Sequence, residues 1–156
     1  MTASKTKLIA ALNAIGVSPR METFADRLRL QKIVWLMQRF GVRLDFNYHW
    51  YLHGPYSPEL TRNLYEIVQS NVAKYEQIGP RDLARIDALR SVLGEDLVSA
   101  DKLELLASID FLRDAAGPLT KEEVTSFLLE TKPYFNEKLV AECWEKWLQL
   151  DSAARS

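Results

Sequence analysis

Two histidines and one cysteine make up the whole supply of imidazole and thiol in this 156-residue chain. His49 and His53 sit four apart in NYHWYLHGPY. The alternating residues around them read as a strand, so the helical spacing that lets two histidines share a metal does not apply. Both point to the polar face with Tyr51 between them, a patch suited to hydrogen bonding or to contact with a partner. No carboxylate cluster lies close in sequence to complete a ligand set, and no metal or cofactor is expected. Cys143, in CWEKW, has no neighbouring histidine and reads as a packing residue. The sequence contains no phosphate-binding glycine loop, no G-x-S-x-G elbow and no H-E-x-x-H helix. Recognition is therefore expected here, and not an enzymatic reaction.

The basic residues offer a second kind of chemistry. Arg29, Lys32 and Arg39 share one side of a helix expected from about Asp26 to Phe40, and Arg43 follows just past its end. The net charge of −1 hides an uneven distribution. Residues 20–43 carry +4, whereas residues 95–123 carry −5. A basic helix face beside a hairpin suggests a winged-helix module resting on nucleic-acid phosphates. The same charges can instead be solvated, or can pair with the acidic second half. Leu28, Trp35 and Leu36 interrupt the basic arc, which favours a protein partner over DNA. Arg43 and His49 also fit the loose R-x5-H spacing of HEPN-type ribonucleases. That chemistry needs both residues on helices facing one cleft, and the residues between them alternate as a strand.

The elements that must position these groups are mostly helical. Ser4 is a candidate cap for a first helix with Leu8, Ala11, Leu12 and Ile15 on one face, ending at Gly16. Residues 44–52 alternate apolar and polar, the pattern of a half-buried strand. A second strand, Val72 to Ile78, is its expected partner. Ser57 and Pro58 suit the start of a helix carrying Leu60, Leu64 and Ile67. After a break at Gly79-Pro80, which is a soft boundary within a single domain spanning 1–156, the rest reads as helix. One helix carries Leu83, Ile86 and Leu93, and the next is capped by Ser99 and carries Leu105, Ile109 and Leu112. Thr120 and Glu123 form a capping box ahead of Val124, Phe127 and Leu128. Asn136 caps a last helix with Val140, Cys143, Trp147 and Leu148 inward. The expected fold is mainly α (α+β), a multi-helix domain with a small strand or hairpin element in a winged-helix-like arrangement. No stretch approaches the roughly 18 apolar residues of a membrane helix, and a reducing, cytoplasmic setting is expected.

LRLQKIVWLMQRFG (28–41) followed by FNYHWYLHGPYSPEL (46–60) resembles the signature of the YwgA-like group of small proteins, and more distantly the Panacea domain. The shared features are the Leu30-Gln31-Lys32 helix, an aromatic strand and the Gly54-Pro55 turn, within residues 28–67. The resemblance implies a regulatory role, as an antitoxin acting by direct binding or as a proteolytic adaptor. This chain reads Gly54-Pro55-Tyr56-Ser57-Pro58, where Panacea domains usually place an apolar residue after the Gly-Pro pair. Physically the segment is a stiff corner: Gly54 allows a tight turn, the prolines rigidify it, and Tyr56 is expected at its tip. The expected function is thus non-enzymatic binding of a macromolecular partner, a protein in the first place. The contact surfaces would be the basic face (Arg29, Lys32, Trp35, Arg39, Arg43) and the corner with His49, Tyr51, His53, Gly54, Pro55 and Tyr56.

Overall fold

Side-chain caps fix where several helices begin. The computed structural model describes residues 3–70 and 77–156. Among these, seven α-helices and one hairpin follow in the order α1 (Ala3–Ile15), α2 (Phe24–Arg39), β1 (His49–Tyr51), β2 (Gly54–Tyr56), α3 (Pro58–Ser70), α4 (Pro80–Leu93), α5 (Ala100–Ala116), α6 (Lys121–Thr131) and α7 (Glu137–Arg155). Ser99, Thr120 and Asn136 cap α5, α6 and α7 as their sequence positions require, and Thr120 and Glu123 close a reciprocal box. Ser57 Oγ accepts from Leu60 N at the start of α3. Two starts differ from expectation. Ser4 lies inside α1. Asp26 does not open α2 but is its third residue, because Thr23 and Asp26 form a capping box one turn earlier.

α2 runs through the middle of the molecule, packed against α3, α4, α5 and the hairpin, and α5 in turn packs on α7. One apolar core spans all of them, from Leu8 and Leu12 through Ile33 and Met37 to Ile109 and Trp147. It passes uninterrupted across Gly79-Pro80, where Gly79 is the N-cap and Pro80 the first residue of α4. The inward faces are Ile86, Leu89 and Leu93 on α4, and Val140, Cys143, Trp144, Trp147 and Leu150 on α7. Leu83 and Leu148, both expected inward, are exposed. Leu148 is one residue, about 100°, round the helix from Trp147, and the i, i+3, i+4, i+7 arc is already complete without it.

The expected alternation of residues 44–52 holds in burial at its start but not in pairing, and it breaks at Leu52, which lies in the turn after β1 and is exposed. Val42, Leu44 and Phe46 are buried, while Arg43, Asp45 and Asn47 are exposed. Strand pairing begins only at His49. Before it, Gln38 substitutes for a neighbouring strand, its side chain bonding Phe46 N (2.8 Å) and Phe46 O (3.1 Å). The partner of β1 is Gly54–Tyr56, antiparallel, in the register His49↔Tyr56, Trp50↔Pro55, Tyr51↔Gly54. Most of the expected partner, residues 72–78, lies outside the described residues. Leu52 and His53 therefore form the hairpin tip, and Tyr56 sits back in β2 with its hydroxyl accepting from Thr61 Oγ1 (2.8 Å).

β2 is laid against α2 and α5 and does not project as a wing. Gly54 makes this approach possible. Its φ of +89° is in the left-handed region, and a Cβ at this position would run into Ser108 Oγ on α5. Ser108 Oγ is buried and has no hydrogen-bond partner among the described residues. Gly54→Ala is expected to destabilise by about 2 kcal/mol or more, from the backbone penalty plus the collision. Ser108→Ala, which removes an unsatisfied hydroxyl, should be neutral or stabilising by about 1 kcal/mol. Urea unfolding of the two variants measures both, and equal losses would contradict this packing.

Candidate binding cleft

A fully buried lysine on a central helix needs an acceptor, and the corner after the hairpin supplies one. Lys32 is 1% exposed and its Nζ donates to Pro55 O at 2.6 Å. The preceding residue grips the same corner. Gln31 Nε2 donates to Ser57 O (2.9 Å) and Gln31 Oε1 accepts from Ser57 N (2.9 Å). From the other side, Lys132 Nζ donates to Leu52 O at 3.0 Å and lies over the Trp50 ring. Residues 52, 55 and 57 are thus each held by a buried side chain.

Glu104 on α5 provides the counter-charge. Its Oε2 accepts from Lys132 Nζ (2.9 Å) and from the Tyr134 hydroxyl (2.5 Å), and its Oε1 lies 3.4 Å from His53 Nδ1. One buried carboxylate therefore faces two buried ammonium groups. Burial lowers Lys32 to about 7; Glu104 opposes this shift and the charge of Lys132 adds to it. Burial also lowers Lys132, and its bond to Glu104 works against that. Burial and the bond to Glu104 raise the Tyr134 hydroxyl.

Above this cluster α2, the hairpin and α3 enclose a cleft of about 370 Å³. Phe24, Arg27, Leu28, Gln31 and Lys32 line it from α2, Tyr51, Leu52, His53 and Tyr56 from the hairpin, and Thr61 and Tyr65 from α3. Its rim is unusually apolar for a surface. Leu52 is 77% exposed, Phe24 54% and Tyr51 46%, and Tyr65 is also exposed. The exposed Tyr134 ring stands 5.8 Å from that of His53, and Phe24 meets His53 edge-on at 4.9 Å.

The structure thus gathers Lys32, Tyr51, His53 and Tyr56 in one place and sends the other candidate residues elsewhere. Gly54 and Pro55 are buried behind the cleft. Arg29 pairs with Asp26 at 2.9 Å. Trp35 Nε1 and Arg39 Nε donate to the Asp110 carboxylate at 3.0 and 3.1 Å, Trp147 Nε1 joins them at 3.0 Å, and Arg39 also pairs with Asp151. The basic stripe is therefore divided: Lys32 is interior and Arg39 is paired with Asp110 and Asp151. Arg43 lies in the loop after α2, in a shallow depression with Asp45, Asn47 and Arg81. His49 is exposed on β1 and does not line the cleft with Tyr51 and His53. Neither Arg43 nor His49 is on a helix, as the ribonuclease arrangement requires. Burial pushes the Cys143 thiol up to about 12, which makes it a poor nucleophile.

Sequence reasoning passed over Glu104, Lys132 and Tyr134. A signal existed for Glu104, which shares an i, i+4 face of α5 with Ser108 and flanks residues that are all apolar. Lys132 and Tyr134 lie beyond α6 and reach the hairpin only through the tertiary fold. Comparison with protein-family models, curated proteins and solved structures gives no match to this chain.

Removing the shared carboxylate should cost far more than removing one lysine. Glu104→Gln strands both ammonium groups and is expected to destabilise by about 3–5 kcal/mol. Lys32→Met leaves the Glu104–Lys132 pair balanced and should cost a fraction of that. In the folded protein Lys32 loses its proton near pH 7, whereas in the unfolded chain it holds it to about 10.5. Folding therefore releases a proton in that window, and Lys32 makes stability rise with pH by up to about 1.4 kcal/mol per unit. Denaturant melts at pH 7 and 8.5 should show this rise in the wild type and a flatter profile in Lys32→Met. Identical profiles would contradict the assignment.

Proposed function

We propose that the protein works by binding a partner protein, with no reaction of its own, and that the hairpin tip and cleft rim form the contact. The observation that carries this reading is Leu52, 77% exposed at the tip of a hairpin whose neighbouring backbone is pinned from inside. Phe24, Tyr51, Tyr65 and Tyr134 surround it with further exposed aromatic surface. Aromatic side chains grouped around a pocket are characteristic of the energetically dominant centre of protein interfaces. A pre-fixed hairpin also lowers the ordering cost of association.

The antitoxin- or adaptor-like character of this role rests on the resemblance of residues 28–67 to the YwgA-like and Panacea signatures. The cytoplasmic setting belongs to the same proposal. Among the described residues, no helix is long and apolar enough to cross a membrane.

Affinity capture from the native host with the full chain tests the reading. The wild type should retain one stoichiometric protein, and Leu52→Asp should weaken that retention at least about 30-fold, the effect of a hot-spot residue. Leu148→Asp, at an exposed position on α7, should leave it unchanged. Recovery of the chain alone, or equal capture by all three forms, would overturn it.

A further inference from the structure

The charged side chains that line the cleft are basic. Arg27 and Lys32 line it together with the His53 imidazole, and none of the lining residues is Asp or Glu. Three neighbouring carboxylates already have cations. Asp26 pairs with Arg29 (2.9 Å), Glu22 with Arg20 (3.1 Å) and Glu104 with Lys132 (2.9 Å). Arg27 is different: its Nη1 donates to two uncharged acceptors, Met21 O (3.0 Å) and Glu22 O (3.4 Å), which orient the guanidinium without neutralising it. Lys32 also spends its short contact on a neutral carbonyl, Pro55 O. Neither has an ion pair among the described residues. Arg27 thus stands as an unpaired cation on the cleft wall, and Lys32 beside it has only the field of Glu104, which it shares with Lys132. Phe24, Leu28, Tyr51, Leu52 and Tyr65 supply apolar surface around them, next to Gln31, Tyr56 and Thr61.

An occupant complementary to this cleft carries a large apolar side chain and a carboxylate close together. At about 370 Å³ the cleft is near the lower end of ligand-site volumes, enough for one or two side chains and not for an extended chain. We infer that the cleft receives an acidic–apolar segment of the partner protein, a Leu or Phe seated between the hairpin and α3 with a neighbouring Asp or Glu drawn to Arg27 and Lys32. This deepens the protein-binding reading and rests on it. Phosphates of a nucleic acid share the negative charge but not the apolar group.

The probe is a fluorescein-labelled, end-blocked peptide, Gly-Ser-Glu-Leu-Phe-Glu-Ser-Gly, compared with its twin bearing Gln for both Glu and with a twin bearing Ala for Leu and Phe. Fluorescence polarisation with the full chain should show the Glu peptide binding about tenfold more tightly than the Gln twin, with the preference shrinking as salt rises. The Ala twin should not bind. Arg27→Gln, at a half-buried surface position that leaves the interior cluster untouched, should bring the Glu and Gln peptides within about twofold of each other. Lys32→Met should do the same, provided that its melt shows it folded. Equal binding of the Glu and Gln peptides, or a preference that survives Arg27→Gln, overturns the inference. So does displacement of the Glu peptide by an equal concentration of a single-stranded oligonucleotide. If Leu52→Asp still abolishes partner capture while the two peptides bind equally, the protein-binding reading stands and only the acidic character of the partner falls.

Discussion

One buried carboxylate shared among more groups than it can fully neutralise governs this structure. Glu104 satisfies Lys132 and Tyr134 directly, and its field is the attraction that keeps Lys32 from an even lower pKa. Both lysines complete their bonding on backbone carbonyls of the hairpin and the corner that follows it. A two-stranded hairpin with three residues per strand has little stability of its own. Here it is fixed because buried ammonium groups, which cannot be left without acceptors, find them at Leu52 and Pro55. The cost of burying charge is thereby converted into a fixed position for the hairpin tip.

The Leu30-Gln31-Lys32 stretch of α2 and the Gly54-Pro55 corner are the two sides of this joint. Gln31 engages both backbone groups of Ser57, and Lys32 engages the carbonyl of Pro55. Gly54 lets the backbone come down onto α5 at Ser108. A helix bearing Leu-Gln-Lys and a Gly-Pro corner, more than twenty residues apart in sequence, thus form one mechanical unit. Tyr51, Leu52 and His53 lie on its outer side, with Tyr51 and Leu52 exposed.

What the sequence made legible was local. The caps at Ser57, Ser99, Thr120 and Asn136 depend on side chains bonding a backbone a few residues away, so the residue types alone located them. The alternation of residues 44–52 marked Leu44 and Phe46 as buried, left Tyr48 and Trp50 half-buried, and failed at Leu52, which the hairpin turn exposes. It could not reveal that Gln38, instead of a strand, would satisfy that backbone. Lys32 shows the limit most clearly. A helical wheel places it beside Arg29 and Arg39, and charge suggests solvent. Its burial follows only from where Pro55, Glu104 and Lys132 come together, and that is set by contacts 23 to 80 residues apart. For Arg39, pairing with the acidic second half was one of the expected outcomes, but its particular partners, Asp110 on α5 and Asp151 on α7, follow only from the tertiary fold.

Lys32 is a desolvated ammonium beneath the hairpin, held by a neutral carbonyl and a shared carboxylate. Its proton affinity reports this directly. In an NMR titration following the side-chain 13Cε signals of selectively labelled lysines, with Lys32→Met assigning the resonance, one lysine should titrate near pH 7. If the Lys32 signal instead titrates with the solvent-exposed lysines near the ordinary value of about 10.4, the buried cluster described here does not exist in solution.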